Sequence, residues 1–188
     1  MEMLRIVRAG RPRPREVPGR NAAGPALSWI GDERIAISGV PAALMVARLA
    51  EQGVTHVINC RARAQVRWSG ELAAERAAFG PGRVAHAPMR DHGLRQRPEL
   101  WAAAACFAAQ VLGDEPQAHV LIHCTAGRRR SAMLAYAVLR LRGHDRPRAA
   151  ALVLRYRPEA ELVPAYARSV ERWLATAARA GTEPGQDR

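Results

Sequence analysis

The chain alternates short apolar runs with stretches of helical spacing, and no other feature restricts its fold as much. Val54-Thr55-His56-Val57-Ile58-Asn59-Cys60 and His119-Val120-Leu121-Ile122-His123 are rich in β-branched and aliphatic residues, as strands buried on both faces are. Residues 34–38 and, with a weaker pattern, 83–88 read the same way. Helices are predicted at 41–50, opened by Pro41 and stopped by Gly53; at 71–79, ended by Gly80-Pro81; and at 98–112, an Ala-rich run opened by Pro98. After residue 123 the chain is mostly helical, over 129–142, 147–156 and 164–178. This order predicts an α/β domain with a mostly parallel central sheet flanked by helices on both faces. Ligands bind such sheets beyond the carboxyl ends of the strands, where the strand at 119–123 delivers Cys124.

A length of 188 residues allows one domain with a substantial core and is short for two. Residues 1–27 are rich in Arg, Pro and Gly without apolar periodicity and read as a flexible arm; 181–188 read as a frayed tail, leaving 28–180 as the domain. No apolar run approaches the roughly 18 residues of a membrane span, and the N-terminal residues lack the apolar core of a signal peptide. A cytoplasmic, monomeric protein is expected. The net charge of +12 comes entirely from arginine, since the chain has no lysine. It suits anionic partners, yet so uniform an excess of Arg, Ala, Gly and Pro also reads as a coding bias. Nucleic acid is not expected as an obligate partner, because basic residues and aromatics are not interleaved as in single-strand platforms. Cys60, Cys106 and Cys124 are too few and too scattered for a disulfide scaffold or a zinc knuckle. No cofactor or metal is expected.

The chemistry concentrates at His123-Cys124-Thr125-Ala126-Gly127-Arg128-Arg129-Arg130-Ser131. A cysteine with an arginine six residues on is weak evidence in so arginine-rich a chain, arising by chance in roughly 40% of such sequences. Requiring the preceding His, the Gly and the following Ser lowers that to on the order of one in ten thousand. A loop entering a helix N-terminus converges backbone N–H groups on one point, which holds a phosphate and stabilises a thiolate. Gly127 permits tight curvature. Arg130 presents a planar fork to two phosphate oxygens, for which lysine is a poor substitute. A leaving oxygen needs a proton, and Asp91 follows the strand at 83–88, on the side of the sheet expected to hold Cys124; Gly93 gives its loop freedom. Asp114 precedes the strand into the loop and belongs at the opposite edge.

These residues resemble the signature of the protein tyrosine phosphatase superfamily, in its dual-specificity branch. The resemblance extends over about residues 30–175, through the strand at 54–60, the helix beginning Ser131-Ala132-Met133-Leu134-Ala135-Tyr136, and Tyr156-Arg157-Pro158 with Pro164. It implies a Cys124 nucleophile passing through a cysteinyl-phosphate. Thr125, Ala126, Gly127, Arg128, Arg129 and Arg130 would then bind the phosphoryl group, with Asp91 as general acid. Ser131 would help the sulfur leave, and His123 would order the loop. Val163-Pro164-Ala165-Tyr166 departs from the pattern, which commonly has Asn after the proline.

The expected substrate is a phosphorylated protein or another phosphate monoester. The extra basic residues Arg128 and Arg129 resemble the loops of lipid-directed relatives, so a phospholipid or inositol phosphate is the second reading; both also read as solvent-facing rim residues. A non-catalytic phosphate- or nucleic-acid-binding module is the alternative of another class, for which Cys124, Arg130 and Asp91 together would be superfluous. Cys60 ends a neighbouring strand and is a candidate redox partner of Cys124, or a small buried hydrophobe. Cys106 reads as core.

Overall fold

The computed structural model describes residues 26–180. The arm expected at 1–27, apart from its last two residues, and the tail at 181–188 lie outside that range. Leu27 packs against apolar side chains of the domain.

Among the described residues five strands form one sheet: β1 (Ser28–Trp29), β2 (Ile35–Ser38), β3 (His56–Asn59), β4 (Val84–His86) and β5 (Val120–His123), in the order β1-β2-β5-β3-β4. All neighbours are parallel except β1, which pairs antiparallel with β2. β5 is central, and its last residue, His123, stands in register between Ser38 and Asn59. The sheet matches the α/β architecture expected from the alternation. β1 was not expected, because two residues carry no periodicity; Trp29 is held by its pairing with Ala36 and an edge-on contact to the His119 ring, with centroids 5.6 Å apart.

Alternate strand residues point to opposite faces. Ile35, Ile37, Ile58, Val120 and Ile122 enter the large core. Ala36, Val57 and Leu121 enter a smaller one. The large core is filled by α4 (Ala102–Asp114), α5 (Arg130–Leu141), α6 (Arg146–Tyr156) and α7 (Pro164–Ala180). Every residue of α5 from Arg130 to Leu139 is buried, so the helix that follows Cys124 is packed on all sides. The opposite face is covered by α1 (Ala47–Glu51) and α3 (Glu71–Phe79). Asp145 caps α6 by accepting a hydrogen bond from the Arg148 N–H at 2.7 Å.

Two local expectations are corrected, and one further helix was not expected. Pro41 does not open a helix: Ala42 remains extended and a 3-10 turn follows at Ala43–Met45, while the Val40 N–H donates to the Thr125 carbonyl at 3.1 Å. Residues Arg63–Ser69 form a helix, α2, whose mixed polar sequence has no apolar stripe to announce it. Cys106 is exposed and not core, since the Ala-rich α4 turns its alanines inward instead.

Candidate active site

The loop from Cys124 to Arg129 joins the central strand to the buried helix, and its shape is set by neighbours distant in sequence. Gly127 has φ +67°, and a Cβ there would lie 2.5 Å from the Ser38 carbonyl carbon and 2.7 Å from Gly39 N. Backbone therefore passes backbone at a distance only glycine allows. Gly39 is the reciprocal device, with space for a Cβ limited by the Thr125 carbonyl at 3.2 Å. On the outer side Arg157 donates to the carbonyls of Gly127 at 3.2 Å and Ala126 at 3.5 Å, and is itself anchored on Ser28 Oγ at 3.1 Å. Loop carbonyls are thus occupied by Val40 and Arg157, while the N–H groups of Arg128 and Ser131 face the Cys124 sulfur.

Cys124 lies at the floor, 1% exposed, with Sγ 3.3 Å from Ser131 Oγ. Burial pushes the thiol's pKa up. It is overcome by the Ser131 hydroxyl, the Ser131 backbone N–H, the Arg130 charge and the Arg128 N–H, so Cys124 titrates below an ordinary cysteine. Cys60, fully buried at the end of β3, is shifted the other way, well above ordinary, by burial first and then by the charge of Cys124. Exposed Cys106 is also raised, by desolvation. All three are free thiols. The opposed directions give a selective test. The thiolate exists above its pKa, so iodoacetate should modify Cys124 alone and do so at a pH below that needed for a free cysteine. Peptide mapping across a pH series reads this directly, and a midpoint at or above that of free cysteine would contradict the arrangement.

Arg130 begins α5 and is 2% exposed. Its guanidinium is held on three sides: Nη1 donates to Gln65 Oε1 at 2.8 Å and to the carbonyls of Met89 at 3.3 Å and Cys60 at 3.4 Å, and Nη2 donates to Thr125 Oγ1 at 3.0 Å. Its buried Nε has no partner among the described residues. A buried cation with a donor to spare, beside inward-facing N–H groups, is a receptor for an anion. Gln65 of α2 also accepts from the Ala62 N–H at 3.1 Å and donates to Thr125 Oγ1 at 3.4 Å, so one side chain starts a helix and docks it on the loop.

Asp91 lies at the mouth, its side chain 38% exposed, with one carboxylate oxygen 3.7 Å from Arg129 Nη1 and the other 3.7 Å from Arg130 Nη2. The loop bearing it is pinned from α7. The Tyr166 hydroxyl accepts from the Gly93 N–H at 3.1 Å and donates to the Arg90 carbonyl at 3.2 Å, while Ser169 Oγ accepts from the Gln96 N–H at 3.0 Å. Tyr166 belongs to the segment that departs from the phosphatase pattern, and it ties down the loop that bears Asp91. Of the two extra arginines, Arg129 is bidentate to Glu161 at 3.0 and 3.1 Å, and exposed Arg128 donates to the Glu159 carbonyl at 3.0 Å.

Behind the loop is a buried polar cluster that the sequence reading missed. Glu75 and His123 are both fully buried, with Glu75 Oε1 2.7 Å from His123 Nε2, though off the line of a hydrogen bond. Asn59 donates to both Glu75 oxygens, at 3.4 and 3.2 Å, and its own Oδ1 accepts from the Arg61 N–H at 3.0 Å. The signal available was the four-residue spacing of Glu71 and Glu75, which puts both on one face of α3; both are buried. Removing Glu75 strands Asn59 and His123. We expect Glu75→Ala to cost about 3 kcal/mol in urea unfolding, and Glu75→Gln distinctly less.

No family model matches the sequence, and no curated protein matches it. Solved structures do match. Tk-PTP in its active form shares 23% identity over 79% of this chain and 95% of that chain, with a TM-score of 0.65. PTPMT1 shares 20% over 84% of this chain and 100% of that chain, at 0.67, and has also been solved in complex with PI(5)P. Human DUSP28 shares 20% over 83% and 99%, at 0.62. The chain has the fold of the protein tyrosine and dual-specificity phosphatases.

Proposed function

We propose that this chain is a cysteine-dependent phosphatase that hydrolyses phosphate monoesters through a cysteinyl-phosphate, of the dual-specificity type. The observation that carries the reading is the pairing of a Cys124 thiol biased toward thiolate with a buried Arg130 whose Nε has no partner among the described residues. In the first step Cys124 Sγ attacks phosphorus, the P–S bond forms as the ester P–O bond breaks, and Asp91 in its acid form protonates the leaving oxygen. Arg130 and the loop N–H groups hold the three equatorial oxygens where charge accumulates. In the second step Asp91 takes a proton from water as water attacks phosphorus, and Ser131 supports the departing thiolate.

A second reading, with a phospholipid or inositol phosphate as substrate, is favoured by the exposed Arg128 at the rim and by the PTPMT1 complex with PI(5)P. Hydrolysis of aryl phosphates under reducing conditions tests the enzyme reading against a binding module. Asp91→Asn should lower kcat by roughly 10²–10³ for a phenyl phosphate, whose leaving group needs a proton, and much less for p-nitrophenyl phosphate. No turnover of p-nitrophenyl phosphate by the reduced wild type would favour the binding module.

A further inference from the structure

Four large apolar side chains stand in solvent among the described residues: Leu44 at 94% exposure, Trp68 at 82%, Leu94 at 67% and Leu154 at 44%. Leu154 lies on α6, but the three most exposed follow β2, β3 and β4 in turn. Those strands run parallel with β5, so the connections leave the sheet at the edge that carries the phosphate loop. Each is fastened to that loop or its arginine: Val40 to the Thr125 carbonyl, Gln65 to Arg130 and Thr125, and the Met89 carbonyl to Arg130. Three connections that leave the sheet at the edge of the phosphate loop thus each carry one large apolar side chain in solvent.

The same connections are cationic. Arg63 and Arg67 on α2 and Arg90 and Arg95 on the acid loop are exposed and have no carboxylate partner among the described residues, unlike Arg97 and Arg129, which are paired with Glu99 and Glu161. The Arg67 guanidinium lies over the Trp68 ring at 5.7 Å. Over residues 39–46, 60–69 and 87–97 the only carboxylate is Asp91, which belongs to the site. Exposed apolar anchors set among unpaired cations match an anionic bilayer surface, where the apolar groups enter the headgroup layer and the arginines meet lipid phosphates. A folded acidic protein would complement the cations, but it would meet these three anchors on separate segments instead of in one groove. A bilayer accepts separate anchors because its surface is fluid.

We propose that the rim formed by Leu44, Trp68 and Leu94 with Arg63, Arg67, Arg90 and Arg95 docks the protein on an anionic lipid surface and turns the phosphate loop toward the headgroups. The docking rests on the rim itself. Its consequence, that a lipid headgroup supplies the phosphate monoester, rests on the phosphatase reading above.

The test is sedimentation with vesicles of equimolar phosphatidylcholine and phosphatidylglycerol against pure phosphatidylcholine, using the full chain at low salt. Binding to the mixed vesicles alone is expected, with a blue shift of tryptophan emission that Trp68→Phe removes. The double variant Leu44→Ser with Trp68→Ala should bind about tenfold more weakly. Its hydrolysis of p-nitrophenyl phosphate should match wild type, since neither side chain is part of the catalytic site. Absence of binding to the mixed vesicles overturns the proposal, as does retention on an acidic phosphopeptide matrix without retention on vesicles. Binding that the double variant leaves unchanged also overturns it, because electrostatics alone would then suffice. Vesicle binding without any p-nitrophenyl phosphate turnover would uphold the docking and sink the phosphatase reading instead.

Discussion

Cys124→Ser is expected to lower phosphate monoester hydrolysis on the order of 10⁴-fold or more while leaving phosphate binding nearly intact. The Ser hydroxyl does not ionise in this range, so no nucleophile remains. The anion cradle is built from loop N–H groups and Arg130 and loses nothing. Arg130→Ala divides the same two properties differently. It removes the charge that faces the equatorial oxygens, so the rate should fall by roughly 10³–10⁵ and phosphate affinity should fall with it. Arg130→Lys should recover little, because one ammonium cannot at once satisfy Gln65, Thr125 and the Met89 and Cys60 carbonyls and still present a fork to the substrate. Single-turnover kinetics with calorimetric phosphate titration separate the two outcomes. Full turnover by Cys124→Ser would eliminate the cysteinyl-phosphate route.

Gly127→Ala is the second large effect, and it acts on shape. The new Cβ would fall 2.5–2.7 Å from the Ser38 and Gly39 backbone, at a φ of +67° that L side chains rarely adopt. Neither neighbour is a flexible side chain, and Ser38 is fixed in register with His123. The loop must therefore shift away from β2. We expect a stability loss of about 2–4 kcal/mol. Activity should fall on the order of 10²-fold, because ångström-scale misplacement of the phosphate oxygens costs that much. Gly113→Ala in α4 is the control: nothing lies within 4 Å of its Cβ position and its φ is ordinary, so a gain of about 0.5–1 kcal/mol is expected. Thermal unfolding of both variants beside wild type decides the matter.

The four parallel strands and most helices were legible because buried strands must be apolar and parallel strands need helical crossovers. The loop residues Cys124, Gly127, Arg130 and Ser131 stood out in the sequence because the roles proposed for them demand fixed residue types at fixed local spacing. Asp91 was found through topology, as the acidic residue beyond a parallel neighbour's carboxyl end, and the structure sets it within 3.7 Å of Arg130. What stayed hidden was the support. Gly39, Gln65, Glu75, Arg157 and Tyr166 act on the loop or on the Asp91 segment from 30 or more positions away in the chain, through contacts that leave no local pattern. Glu75 is the plainest case. On an Ala-rich amphipathic helix a glutamate reads as solvent-facing, and only the position of His123 at the centre of the sheet turns it into a buried partner. The exposed Trp68 was equally silent, since nothing in a polar heptapeptide says which side chain its fold will fail to cover.

Asp91 spans Arg129 and Arg130 at the mouth, so the resting site already contains a counter-ion of its own. An incoming anion gains entry by exchange: it must outbid a tethered carboxylate for the same guanidinium. A doubly charged monoester can do so, and Asp91, once displaced from the two arginines, is free to take up the proton that the proposed mechanism delivers to the leaving oxygen. A singly charged phosphodiester, sulfate ester or carboxylate merely trades one negative charge for another and gains little from the exchange. The arrangement thus discriminates by valence before any side chain reads the rest of the substrate, and inorganic phosphate should compete more strongly near neutral pH, where its dianion is abundant, than in acid.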